Sequence, residues 1–140
     1  MGIASALVFA NLGSSYGTAK AGVGIASLGV IDSSKIFRAL IPIIMAGILG
    51  IYGIIVSVLI NTRAKEANLK MADGYKLLSA GLCCGLSSLA AGLAIGVAGD
   101  AGVRAFAQTD GIFVGMILIM IFAEAIGLYG MIIAIIIQSS

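Results

Sequence analysis

The chain has no histidine and no tryptophan, and only 10% of its 140 residues are charged. Its two cysteines, Cys83 and Cys84, are adjacent. Without histidine, and with the thiols side by side, no ligand set at metal-binding spacing exists, and no metal or other cofactor is expected. The thiols sit inside an apolar segment, where they read as small packing residues rather than as a vicinal disulfide. A net charge of +2 leaves no basic surface, so no nucleic-acid partner is expected. There is no GxxxxGKS/T phosphate loop, so this chain is not expected to be an ATP-hydrolysing site or to bind nucleotide. No basic region precedes the first apolar stretch, so no cleavable signal is expected. That stretch begins at residue 1 without a polar flank, as though inside a longer helix.

What the chain has instead is apolar length. It is 61% hydrophobic with a mean hydropathy of +1.19, too apolar for a soluble domain of this size. Hydropathy divides it into four segments: Met1–Ala19 with a continuation toward Val30, Ala39–Ile60, Leu77–Gly99 and Gly111–Ile137. Each is long enough to cross a bilayer, and such spans must be helices, because lipid satisfies neither strand edges nor loops. The expected fold is an all-α membrane protein of four transmembrane helices arranged as two duplicated hairpins. The first repeat covers 1–62, with spans at about 1–30 and 38–61; a connecting loop covers 63–76; the second repeat covers 77–140, with spans at about 77–103 and 111–137. Loop charge does not orient the chain: Arg63, Lys65, Lys70 and Lys76 on one side face Lys20, Lys35, Arg38 and Arg104 on the other.

The duplication is visible in register. Ala39–Ile60 laid over Met116–Ile137 gives seven identities in 22 positions, including Ala46/Ala123, Gly50/Gly127, Tyr52/Tyr129 and Gly53/Gly130. Spans 1 and 3 each carry a stripe of small residues, among them Gly13 and Gly17 in the first and Gly92 and Gly96 in the second. Small-xxx-small faces let helix backbones approach closely in lipid. The expectation is a ring-packing role for these glycines, with spans 1 and 3 forming a curved inner wall and spans 2 and 4 outside.

One charge interrupts the last span. Glu124 lies 13 residues from either end of Gly111–Ile137. At 1.5 Å per residue that is about 20 Å from each end, near the middle of a bilayer. An ionisable group there is costly and marks a functional site by default. A carboxyl escapes much of that cost by taking up a proton, so a carboxyl that gains and loses one is a proton carrier. Its neighbours at i±3 and i±4 are Met120, Ile121, Gly127 and Leu128, none with a side-chain oxygen. Opposite it in the repeat stands Gly47, and the adjacent positions Met45, Ala46, Ile48 and Leu49 also lack side-chain oxygens, which favours H+ over Na+. Tyr52 and Tyr129 lie within about one and a half turns of the same level, and each is a candidate partner for the carboxyl or an ordinary interface tyrosine. Lys20 reads as a lysine snorkelling toward the membrane surface rather than a proton-path residue, and Asp100 with Arg104 as an i,i+4 surface pair at the end of span 3 or a contact for a soluble partner.

The stretches YGTAKAGVGIA (Tyr16–Ala26), AIGVAGDAGVR (Ala94–Arg104) and IFAEAIGLYG (Ile121–Gly130) resemble the proteolipid, or c-type, subunits of eukaryotic vacuolar-type H+-ATPases. The resemblance covers nearly the whole chain. It implies a rotor ring of c-type subunits surrounded by lipid, and an essential carboxylate at Glu124. It also implies a stator, whose a-type subunit bears an arginine facing that carboxylate, and central-stalk subunits docked on the cytosolic loops 1–2 and 3–4. Gly47 would be the vestige of an ancestral first-repeat carboxylate. The membranes implied are those of acidic organelles: vacuole, lysosome, endosome, Golgi or secretory vesicle. A different class, a small four-span proton-coupled antiporter, also uses a membrane glutamate, but it needs a substrate cavity usually lined by aromatics, which are few near Glu124.

Overall fold

The computed structural model describes all 140 residues, and they form four long helices. We label them α1 (Gly2–Ile31), α2 (Ile41–Ala64), α3 (Met71–Gln108) and α4 (Ile112–Ser139). The chain runs up α1, down α2, up α3 and down α4, so α1 is parallel to α3 and α2 to α4. Gly2 and Gly24 of α1 meet Leu77 and Asp100 of α3, while Gly53 and Pro42 of α2 meet Ala6 of α1 and Gly99 of α3. The two hairpins therefore stack side by side in the same sense, as a duplicated sequence requires.

Three of the helices are long and apolar enough to cross a membrane on composition alone. These are α3, α4 and α2 with the short helical turns that lead into it. At 30 residues α1 has the length, but Asn11, Ser14, Ser15, Thr18 and Lys20 dilute its apolar character. Its glycine and alanine stripe faces α3 and α2, while Asn11 and Ser15 lie on the exposed side.

The small residues act inside the protomer. A Cβ on Gly92 would fall on the carbonyl of Gly13, and one on Gly13 would fall on the carbonyl of Ser88. On Gly17 it would stand 2.9 Å from the Ala46 side chain and 3.0 Å from the Gly92 carbonyl, and on Gly96 it would stand 3.0 Å from the Tyr16 ring. These glycines are buried at the contact between α1 and α3 of one chain. The two helices lie stripe to stripe, so the close approach the glycines allow is already used before any second copy is present.

Helix ends differ from the hydropathy boundaries because lipid span and helix span are set by different physics. The helix α3 starts at Met71, six residues before the apolar run, because Asp73 accepts the backbone N–H of Lys70 at 3.1 Å and caps the first turn. The chain between α2 and α3 thus narrows to 65–70, where Glu66 pairs back to Arg63 of α2 at 3.0 Å. At the other end, Asp32 accepts from the backbone N–H of Ser34 at 3.1 Å and from its hydroxyl. These bonds hold the Asp32 carboxyl below the usual carboxylate range, the hydroxyl contributing most. They shape the turn Ser33–Lys35, followed by the short helix Ile36–Ala39 and by Pro42 in the first turn of α2, where its missing N–H costs nothing.

A mid-membrane carboxyl as candidate functional site

Glu124 stands near the centre of α4, the helix with the smallest share of its apolar length buried in the protomer. Both carboxyl oxygens are nonetheless buried, and neither has a hydrogen-bond partner. The surrounding wall is apolar. Ala46 and Leu49 of α2, Ala91 and Ile95 of α3 and Met120 and Ala123 of α4 form one buried cluster at this depth, with Met45, Tyr52 and Ala98 packed on it. One turn beyond the carboxyl, a Cβ on Gly127 would stand 2.5 Å from Leu49 and 3.4 Å from Ala91. Glycine at that position lets α4 close against α2 and α3, which seals the carboxyl from one side.

Within the protomer the carboxyl is neither ion-paired nor hydrogen-bonded, and burying a charge so placed is costly. No basic side chain acts on it: the chain's lysines and arginines lie on α1, in the connectors or at helix ends.

The polar group beside Glu124 is the hydroxyl of Tyr52, half-buried on α2, which approaches the carboxyl without reaching hydrogen-bond geometry. Tyr129 is placed differently. It lies five residues along α4 from Glu124, hence about 140° around the helix, and is 62% exposed. Gly47 faces outward on α2, and a Cβ added there meets nothing within 4 Å. Nothing within one protomer requires a glycine at that position.

Two features of the site are not evident from the sequence pattern. Ala91 and Ile95 line it from α3, a helix whose small-residue stripe draws attention to Gly92 and Gly96 instead; they flank that stripe at i,i+4 spacing, which is the available signal. Lys20 is not brought to Glu124. Its ammonium lies 3.7 Å from Asp100, which also accepts from Arg104 at 2.8 Å, so the lysine joins α1 to α3 toward the end of the bundle.

Comparison with known proteins bears on this geometry. The family model for the C subunit of ATP synthase matches residues 1–60 and again 78–137, once per hairpin. A 16 kDa proteolipid of the V-type proton ATPase of Caenorhabditis briggsae, the second c-type isoform, is 53% identical over 142 residues, covering 100% of this chain and 88% of the relative. The V-type proton ATPase 16 kDa proteolipid of Ascaris suum is 52% identical over 142 residues, with the same two coverages. The human V-type proton ATPase 16 kDa proteolipid is 51% identical over 139 residues, 99% of this chain and 89% of its own length.

The chain belongs to the 16 kDa proteolipid family of V-type proton ATPases, the c-type subunits. A proteolipid of this family is a multi-pass membrane protein and a rotor component of an ATP-driven pump, not its catalytic part. The antiporter reading finds no support among these relatives.

Proposed function

We propose that this proton-translocating c-ring proteolipid works through Glu124, which takes up one proton, carries it through the lipid as a neutral acid, and releases it where the ring meets its stator. The observation that carries this reading is the pair of buried, unpartnered carboxyl oxygens at the centre of α4. An acid so placed is stable only when protonated, and it ionises only when water or a fixed cation reaches it. The protomer supplies no such cation, so it comes from another subunit; family resemblance assigns an arginine on the a-type subunit of the stator. ATP hydrolysed elsewhere in the assembly turns the ring through central-stalk subunits on the connector end, and the result is acidification of endomembrane organelles. Tyr52 is the group of this chain placed to accompany the carboxyl through its two states. A sodium ion would need several oxygen ligands, and the repeat-aligned positions Met45, Ala46, Gly47, Ile48 and Leu49 carry no side-chain oxygen, which supports H+ as the ion.

The repeat also supports a way of building the ring. Within one protomer, Tyr52 of the first hairpin faces Glu124 of the second. If the next copy continues the same stacking, Tyr129 faces Gly47 of that copy. Both residues are exposed and free to do so. Each copy then carries one working carboxyl site inside itself and one vestigial site at its junction with the next.

A hydrophobic carbodiimide attacks protonated acids and partitions into lipid. It is expected to modify Glu124 selectively in the membrane-bound enzyme, with Na+ giving no protection at constant pH. Protection by Na+ would withdraw the assignment of H+.

A further inference from the structure

Lys35 makes three contacts with one ammonium. Its Nζ lies 2.6 Å from Oδ1 of Asp110, donates to the Phe106 carbonyl at 3.1 Å, and stands 5.0 Å from the centroid of the Phe106 ring. The side chain is only 18% exposed. The Phe106 carbonyl belongs to the last turn of α3, where carbonyls are left without intrahelical donors, and a cation there also complements the helix dipole. Phe106 is fully buried, and its ring lies 5.2 Å from that of Phe113 in the first turn of α4. One side chain from the first connector therefore caps α3, holds the second connector at Asp110 and sits over the ring of Phe106, which pairs with Phe113 of α4. No other hydrogen bond or ion pair links the two connectors.

Elsewhere the hairpins meet through the glycine and alanine stripes of α1 and α3, three apolar clusters and the Lys20–Asp100 ion pair, none of which holds residues 109–111. The Lys35 contacts are thus the directional bonds that reach the segment leading into α4. Only the second hairpin carries the carboxyl. Asp110 lies two residues before α4 begins and 14 before Glu124, about 21 Å along the chain's helical rise.

We infer that Lys35 is a positioning residue of the rotor, fixing the first connector to the start of α4 so that a load on either connector reaches the helix that carries Glu124. The inference rests on the reading above, of a ring turned from its connector end. It assigns Lys35 no contact with the proton.

The test uses the assembled ATPase containing this chain, in three forms: Lys35→Met, Lys35→Arg, and Lys35→Met combined with Asp110→Asn. Ring assembly, hydrogen–deuterium exchange and protons moved per ATP are measured together. Lys35→Met keeps the apolar stem and is expected to assemble, with exchange at Thr109–Phe113 faster by about tenfold, the weight of one charged hydrogen bond, and with fewer protons moved per ATP. Lys35→Arg restores both, and the double variant is no worse than Lys35→Met alone. Unchanged exchange and unchanged coupling in Lys35→Met overturn the proposal, as does a failure of arginine to rescue or a double variant that loses further coupling. If Lys35→Met does not assemble, Asp110→Asn alone, at a side chain 74% exposed, must show the same losses in weaker form, and normal coupling there overturns the proposal. An unmutated enzyme that hydrolyses ATP without acidifying vesicles would instead break the Glu124 reading, while the exchange result would still report on the latch.

Discussion

Gly13 of α1 and Gly92 of α3 lie backbone to backbone, so close that a Cβ on Gly92 would coincide with the Gly13 carbonyl. The obstacle is main chain, which cannot rotate away. Gly92→Ala is therefore expected to destabilise the protomer itself by about 1–3 kcal/mol, the usual cost of overpacking. Ile133→Ala, at a side chain 47% exposed on α4, is expected to cost about 0.5 kcal/mol or less. Thermal unfolding of the detergent-solubilised proteins compares them directly. Equal stability of the two variants would remove the reason for placing the glycine stripe at the α1–α3 contact.

Tyr52 and Tyr129 occupy equivalent repeat positions but unequal surroundings, one beside the carboxyl and one 62% exposed on the outside. Tyr52→Phe should slow proton pumping about two- to tenfold, the net worth of the one hydrogen bond its hydroxyl gives the carboxylate when Glu124 ionises. Tyr129→Phe should leave it within about twofold, as for a residue without a buried polar role. Vesicle acidification at fixed ATP measures both. A larger effect from Tyr129 would exchange their roles.

If copies stack as the hairpins do, Tyr129 of one meets Gly47 of the next. Gly47→Cys and Tyr129→Cys placed in the same chain should then cross-link between copies on oxidation or with a short bismaleimide, giving a ladder of multimers on denaturing gels. Each single variant serves as the control. Monomers alone after treatment, with both thiols reactive, would place a different face at the junction.

Much of this arrangement is legible in the residues, for identifiable reasons. Apolar run length gives the spans because lipid permits little else. The Tyr-Gly pair shared by Tyr52–Gly53 and Tyr129–Gly130 exposes the duplication because helices of a repeat keep their register. Glu124 stands out because hydrocarbon makes any charge conspicuous. Other features resist reading. A small-residue stripe declares that something comes close without saying what, so Gly13, Gly17, Gly92 and Gly96 point equally to a neighbouring helix or a neighbouring copy. Helix α3 begins at Met71 because of one capping aspartate in a polar stretch that hydropathy treats as loop. Ala91 and Ile95 reach the site only through the tertiary packing of α3, and the Lys35–Asp110 pair joins residues 75 positions apart.

The central claim is that the carboxyl of Glu124 carries the proton. Its most direct test is acidification of vesicles containing the enzyme with Glu124→Gln, an isosteric amide that fits the same apolar wall but cannot ionise. The ring is expected to assemble, and both proton pumping and the ATP hydrolysis coupled to it are expected to be lost, while Glu124→Asp retains part of each. Acidification at the normal rate by the assembled Glu124→Gln enzyme would contradict the account.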